Sequence, residues 1–230
     1  MKAKYEKAMK YYYGDHGYAK NKKKAFELLL PLASSGYIDA MAQVGRMYFK
    51  GKGTKCNYEK ALEWYLKAAI AGHTEAQKMS AMMYSHGIGT KKDVKKASEL
   101  YEKAALSEDE EAMYQLGVYY YLNEHLYEKS IYWLKRAIDH QYTDAKRMLG
   151  FVYQDMKNEE SHYWFNQALN EYEKEAYNGN SESAYLAGEL YLKGLGTKHD
   201  KDKAKQMFEI VLNDDQSSFS EQAKKKLELL

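Results

Sequence analysis

Proline is nearly absent. Pro31 is the only one in 230 residues, and because an interior proline removes a helical hydrogen bond and clashes with the preceding turn, its scarcity leaves room for long unbroken helices. Cysteine is as rare: Cys56 stands alone, which excludes an internal disulfide framework and fits a reducing compartment. Long apolar runs are missing too. The opening MKAKYEKAMKYYYGDHGYAK has no apolar core of signal-peptide length, and nothing later approaches a membrane-spanning run. No membrane insertion is therefore expected, and the chain reads as cytoplasmic, or as secreted or periplasmic if a leader has been trimmed. Nor is there a surplus of one charge. Thirty-five basic residues face 33 acidic ones, a formal net charge of +2 with both signs interspersed. No charged tail or nucleic-acid-sized patch is visible along the chain, so nucleic acid is set aside as a partner.

What is present is a repeat. Ala40 to Glu75 aligns without gaps on Ala76 to Glu111, an offset of 36 residues. The offset pairs Tyr48 with Tyr84, Gly51 with Gly87, Gly53 with Gly89, Ala61 with Ala97 and Tyr65 with Tyr101. Shifting back by the same step gives a diverged first copy, and further copies start at Ala112, Ala145 and Ser183. The six units run 1–39, 40–75, 76–111, 112–144, 145–182 and 183–220 of one repeat domain, 1–230, with 221–230 as a C-terminal capping helix. Within a unit, Ala40, Val44, Met47 and Tyr48, and then Ala61, Leu62, Tyr65, Ala68 and Ala69, recur at three- and four-residue steps. That is the period of two amphipathic helices. Gly45 and its equivalents Gly117, Gly150 and Gly188 let the helix axes approach, opposite bulky residues such as Tyr65.

Between the two helices lies GKGTK at positions 51 to 55, repeated as GIGTK from Gly87 and GLGTK from Gly194. A phosphate-binding loop needs its glycines and lysine at another spacing, between a buried strand and a helix. These glycines follow a helix, and are read as the reversal of a helix hairpin. Units four and five have shorter loops, and unit five gains seven residues before Ser183, a stretch predicted to lengthen its second helix by about two turns.

The pattern A-x4-G-x2-Y-x2-G-x-G followed by K-A-x2-W-Y-x-K-A-A resembles the Sel1-like repeat family of the tetratricopeptide superfamily. The resemblance implies an all-α, right-handed α/α solenoid of about six helix-turn-helix repeats, with the first helix of each hairpin lining the concave side. It also implies a non-enzymatic scaffold or adaptor that binds a protein or peptide partner, as a monomer or weak dimer and with no cofactor. A bacterial immunity protein capping a toxin is the alternative within the family. On that implied geometry the partner-binding row runs through Lys7 and Lys10, then Gln43, Arg46 and Lys50, then Lys78, Met82 and His86. It continues through Tyr114, Val118 and Tyr121, then Arg147, Phe151 and Asp155, and ends at Tyr185 and Glu189. Tyrosine, arginine and methionine are residue types enriched at interfaces. Packing between neighbouring repeats is the competing reading for Tyr114, Val118 and Phe151.

Catalytic chemistry has little to stand on. None of the seven histidines forms a HExxH motif or pairs with a cysteine at zinc-ligand spacing, so no metal site is nominated. A hydrolase using Cys56 or a histidine is the remaining alternative, and it would need an orienting base beside the thiol.

Overall fold

The computed structural model describes all 230 residues as thirteen α-helices without a strand. In chain order they are α1 (Lys2–Tyr13), α2 (Lys22–Ser34), α3 (Ile38–Lys50), α4 (Tyr58–Ile70), α5 (Thr74–His86), α6 (Val94–Leu106) and α7 (Glu110–Leu122). There follow α8 (Tyr127–Asp139), α9 (Asp144–Asp155), α10 (Glu160–Tyr177), α11 (Ser181–Lys193), α12 (Lys201–Leu212) and α13 (Ser220–Leu227). Contacts group them into two compact units, Met1–Gln115 and Leu116–Leu230. Within the first, α1 packs on α2, α3 on α4 and α5 on α6, and each hairpin meets the next through α2 on α3 and α4 on α5. The second repeats the scheme with α9 on α10 and α11 on α12, and α13 closes against α12. The architecture is an all-α repeat fold.

The same local solutions recur in the hairpins α3–α4, α5–α6 and α11–α12. The second helix is started by an Asx cap: Asn57, Asp93 and Asp200 accept from the backbone N–H three residues on at 2.8, 2.9 and 2.9 Å. One otherwise unsatisfied amide of the first turn is thereby satisfied. The first helix ends at Gly51, Gly87 or Gly194, each left-handed, with its N–H returned to the last turn. The second glycine of the loop is needed for a different reason. A Cβ on Gly53 would lie 2.2 Å from the Lys22 carbonyl oxygen, and one on Gly89 2.5 Å from the Tyr58 backbone. The loop therefore seats directly on the start of the preceding repeat's second helix. The GxGTK motif is a joint between repeats.

Close helix approach is equally specific. A Cβ on Gly45 would come within 2.9 Å of Tyr65, on Gly150 within 2.7 Å of Phe165 and on Gly188 within 2.6 Å of Phe208, all three of them buried rings. The recurring tyrosine of the first helix carries a lysine over its ring: Lys60 on Tyr48 at 5.7 Å, Lys96 on Tyr84 at 4.5 Å and Lys203 on Tyr191 at 4.9 Å. The lysine stands three residues after the Asx cap, so capping and cation–π contact share one turn. The insertion in unit five lengthens α10 to 18 residues, against 13 in α4 or α6, as one continuous helix.

Candidate functional site

The row expected to bind a partner does not have one character. In the first unit it is largely open. Arg46 leaves 43% of its side chain exposed while reaching Glu75 at 3.5 Å. Lys50 and His86 are exposed at the ends of α3 and α5, and Met82 is half-buried one turn before His86. The His86 ring nitrogen Nδ1 lies 2.8 Å from Ser85 Oγ and 3.0 Å from the Met82 carbonyl oxygen, which fixes the ring against its own helix. Lys10 is half-buried and lies over the Tyr18 ring at 5.7 Å. Two members depart from the expectation. Gln43 is buried, with 7% exposure, so it belongs to the core. Lys78 is tied down by Glu111 at 2.9 Å, Asp109 at 3.2 Å and Glu75 at 3.4 Å. Burial alone would lower the lysine pKa; the hydrogen-bonded carboxylates of Glu111 and Asp109 outweigh it and hold Lys78 above the ordinary range.

In the second unit the row is mostly turned inward on the protein itself. Phe151 sits edge-to-face on buried Phe165, centroids 4.9 Å apart. Tyr185 stacks on Phe219 at 5.2 Å, beneath the segment leading into α13. Arg147 Nε donates to the Tyr172 hydroxyl at 3.3 Å, and that hydroxyl donates to Asp144. Tyr121 donates to Asp155 at 2.6 Å, and desolvation together with that carboxylate raises its pKa. Burial alone would raise the Glu189 carboxyl, but Lys193 at 2.6 Å and Lys226 at 2.5 Å outweigh it and hold it below the usual range. Here these side chains stabilise neighbouring layers. Tyr114 in the first unit and Val118 in the second are half-buried on α7.

The other candidates resolve simply. Cys56 is exposed and its thiol donates to the Phe49 carbonyl oxygen at 3.3 Å, beside the Tyr58 phenol and not beside a histidine. His73 Nδ1 accepts from the Ala76 N–H at 3.2 Å and so caps α5. No three His, Cys, Asp or Glu side chains gather as a metal site, and no helix is long and apolar enough to cross a membrane. A polar cleft of about 370 Å³ opens beside α10, but Lys146 pairs with Glu171 there, and Glu175 accepts from Thr143 and Ser183.

The Sel1 repeat family model matches residues 2–37, 38–73, 74–109, 110–142 and 181–210. The chain belongs to the Sel1 repeat family. The hairpin left unmatched, α9 with α10, is the one whose loop is short and whose second helix is extended. Sel1 repeats form TPR-like solenoids that generally serve as protein-interaction scaffolds and are typically non-enzymatic. No curated protein matches the chain significantly. Among solved structures, a Sel1 repeat protein from Oxalobacter formigenes aligns over 94% of this chain and 86% of its own, at 24% identity and a TM-score of 0.75. A protective antigen with an SLR fold, present in uropathogenic Escherichia coli strains, aligns over 98% of this chain and 64% of its own, at 23% identity and a TM-score of 0.50. An immunity protein from Pseudomonas aeruginosa aligns over 92% of this chain and 81% of its own, at 19% identity and a TM-score of 0.51. At these identities the likeness is one of fold.

Proposed function

We propose that this Sel1 repeat protein is a non-enzymatic adaptor that binds a protein partner through the first-helix face of its first unit. One observation carries the reading. Arg46 and Met82, and likewise Lys50 and His86, occupy the same register one repeat apart and keep exposed or half-exposed side chains, whereas in the second unit Phe151 and Glu189, which stand in the Met82 register, are engaged by Phe165 and by Lys193 and Lys226. A cationic and thioether surface on rigid helices offers hot-spot residue types at low ordering cost.

A dedicated inhibitor that caps one toxin is a second version of the same binding. The fold shared with the Pseudomonas aeruginosa immunity protein brings it forward. Stoichiometry separates the two: an inhibitor holds one folded partner tightly, an adaptor several weakly. The experiment is capture from the native host's lysate with the wild-type chain and with Arg46→Ala/Met82→Ala/His86→Ala, read by mass spectrometry. The triple variant should keep its helical circular dichroism and lose the captured partner. Retention of the partner would remove binding from this face.

A further inference from the structure

Along the sequence the charges alternate, yet in the first unit they separate in space. The first-to-second-helix loops stack on one edge, since Gly53 seats on Lys22 and Gly89 on Tyr58. Across residues 14–24, 51–60 and 87–96, which form that edge, eleven lysines stand against three carboxylates. None of the eleven makes an ion pair; the pair on this edge joins His16 to Asp15, and the lysine and arginine salt bridges of the unit lie elsewhere. The turns at the other end of the helices, with the first residues that follow them (35–40, 71–76 and 107–112), carry six carboxylates and no lysine or arginine. Helices of 13 residues separate the two edges by about 20 Å. A Debye length near 8 Å at physiological salt keeps the acidic edge from neutralising the basic one.

We propose that the lysine edge of the first unit is a docking surface for an acidic, extended polypeptide segment. The inference rests on the protein-binding reading but uses a different surface. Successive helix layers lie about 9 to 10 Å apart and an extended chain rises about 3.3 Å per residue, so a carboxylate at every third position meets one loop after another. Lys20, Lys22, Lys52 and Lys55 supply the first two contacts, and Lys91 with Lys92 the third. Lys22 lies beside Lys52 and Lys20; desolvation and these neighbouring ammonium groups lower its pKa, so an anion among them would relieve the repulsion. A polypeptide fits better than a nucleic acid. The edge has lysines and no arginine, and its recurring rings, Tyr11, Tyr48 and Tyr84, already lie under Lys24, Lys60 and Lys96, leaving those rings unavailable for base stacking.

Fluorescence anisotropy with the full chain tests this, using a labelled (Glu-Ser-Gly) repeat peptide of about twelve residues, long enough to span three loops. Binding should weaken as salt rises. It should weaken at least about tenfold in Lys20→Glu/Lys22→Glu/Lys52→Glu/Lys55→Glu, and less than about twofold in a control with four reversals at Lys201, Lys205, Lys224 and Lys225. The neutral variant Lys20→Gln/Lys22→Gln/Lys52→Gln/Lys55→Gln, which adds no new repulsion, should show the same loss in weaker form. An affinity unchanged in both edge variants, or no binding of the peptide, would overturn the proposal. So would tighter binding of a single-stranded oligonucleotide or an anionic phosphatidylserine vesicle. Salt-dependent self-association in sedimentation velocity that the edge variant abolishes would make a second copy the occupant instead. If the peptide fails while the Arg46, Met82 and His86 face still captures its partner, the scaffold reading stands and the edge proposal alone falls.

Discussion

Gly188→Ala sets two physical effects against each other. Glycine inside a helix costs about 1 kcal/mol relative to alanine, so propensity alone predicts a gain in stability. Packing predicts the opposite. The new methyl carbon would lie 2.6 Å from Phe208 Cε1, where carbon atoms rest comfortably at about 3.5 to 4.0 Å. Phe208 is fully buried among Ala184, Ala187, Met207 and Val211, so its ring has nowhere to swing, and α11 and α12 must part by roughly 1 Å. Overpacking of this kind costs about 1 to 3 kcal/mol. The net expectation is a loss of about 1 to 2 kcal/mol, measured by urea denaturation followed by far-UV circular dichroism. Phe208→Leu should partly rescue Gly188→Ala, with a coupling of at least about 0.5 kcal/mol in the double-mutant cycle. A more stable Gly188→Ala protein would refute the close-approach argument, and with it the reason offered for glycine in this register.

The remaining expectations follow from the same contacts. Gly53→Val should lower stability by more than about 2 kcal/mol, because it adds a branched side chain at φ +83 against the Lys22 carbonyl; normal stability would contradict the joint between repeats. Burial pushes the Tyr65 and Tyr101 phenols up to about 12 from 10.0. The folded state therefore keeps protons that the unfolded state releases, and stability should fall between pH 10 and 12 by up to about 2 to 3 kcal/mol per phenol. Tyr65→Phe and Tyr101→Phe should flatten that fall in chemical denaturation at stepped pH. Lys78→Met should cost about 1 to 2 kcal/mol by leaving Glu75, Asp109 and Glu111 facing one another, and the loss should shrink in high salt.

The fold was legible because each repeat solves the same local problems with the same residues. A 36-residue offset aligning Gly45 with Ala81 and Tyr65 with Tyr101 is the projection of small-against-large packing onto the sequence. The recurring Lys60–Tyr48 and Lys96–Tyr84 contacts, twelve residues apart in both repeats, were equally available from spacing. The exposure of the expected row was only half legible. Whether a side chain flanking the packing stripe stays open depends on the next layer: Phe151 meets Phe165 across its hairpin, and Tyr185 is capped by Phe219 from outside the repeat pattern. Gln43 failed as a surface residue because it is buried. Charge separation was hidden by the linear order, because each unit of the chain crosses the lysine edge once and the acidic edge once.

Photo-crosslinking tests the central claim most directly. A benzophenone amino acid at Met82, on the first-helix face, is compared with one at Glu99, exposed on the second helix of the same hairpin, each incubated with the partner captured by the wild-type chain. The account predicts an adduct from position 82 and none from position 99. Adducts from position 99 alone would place the partner on the opposite face and contradict it.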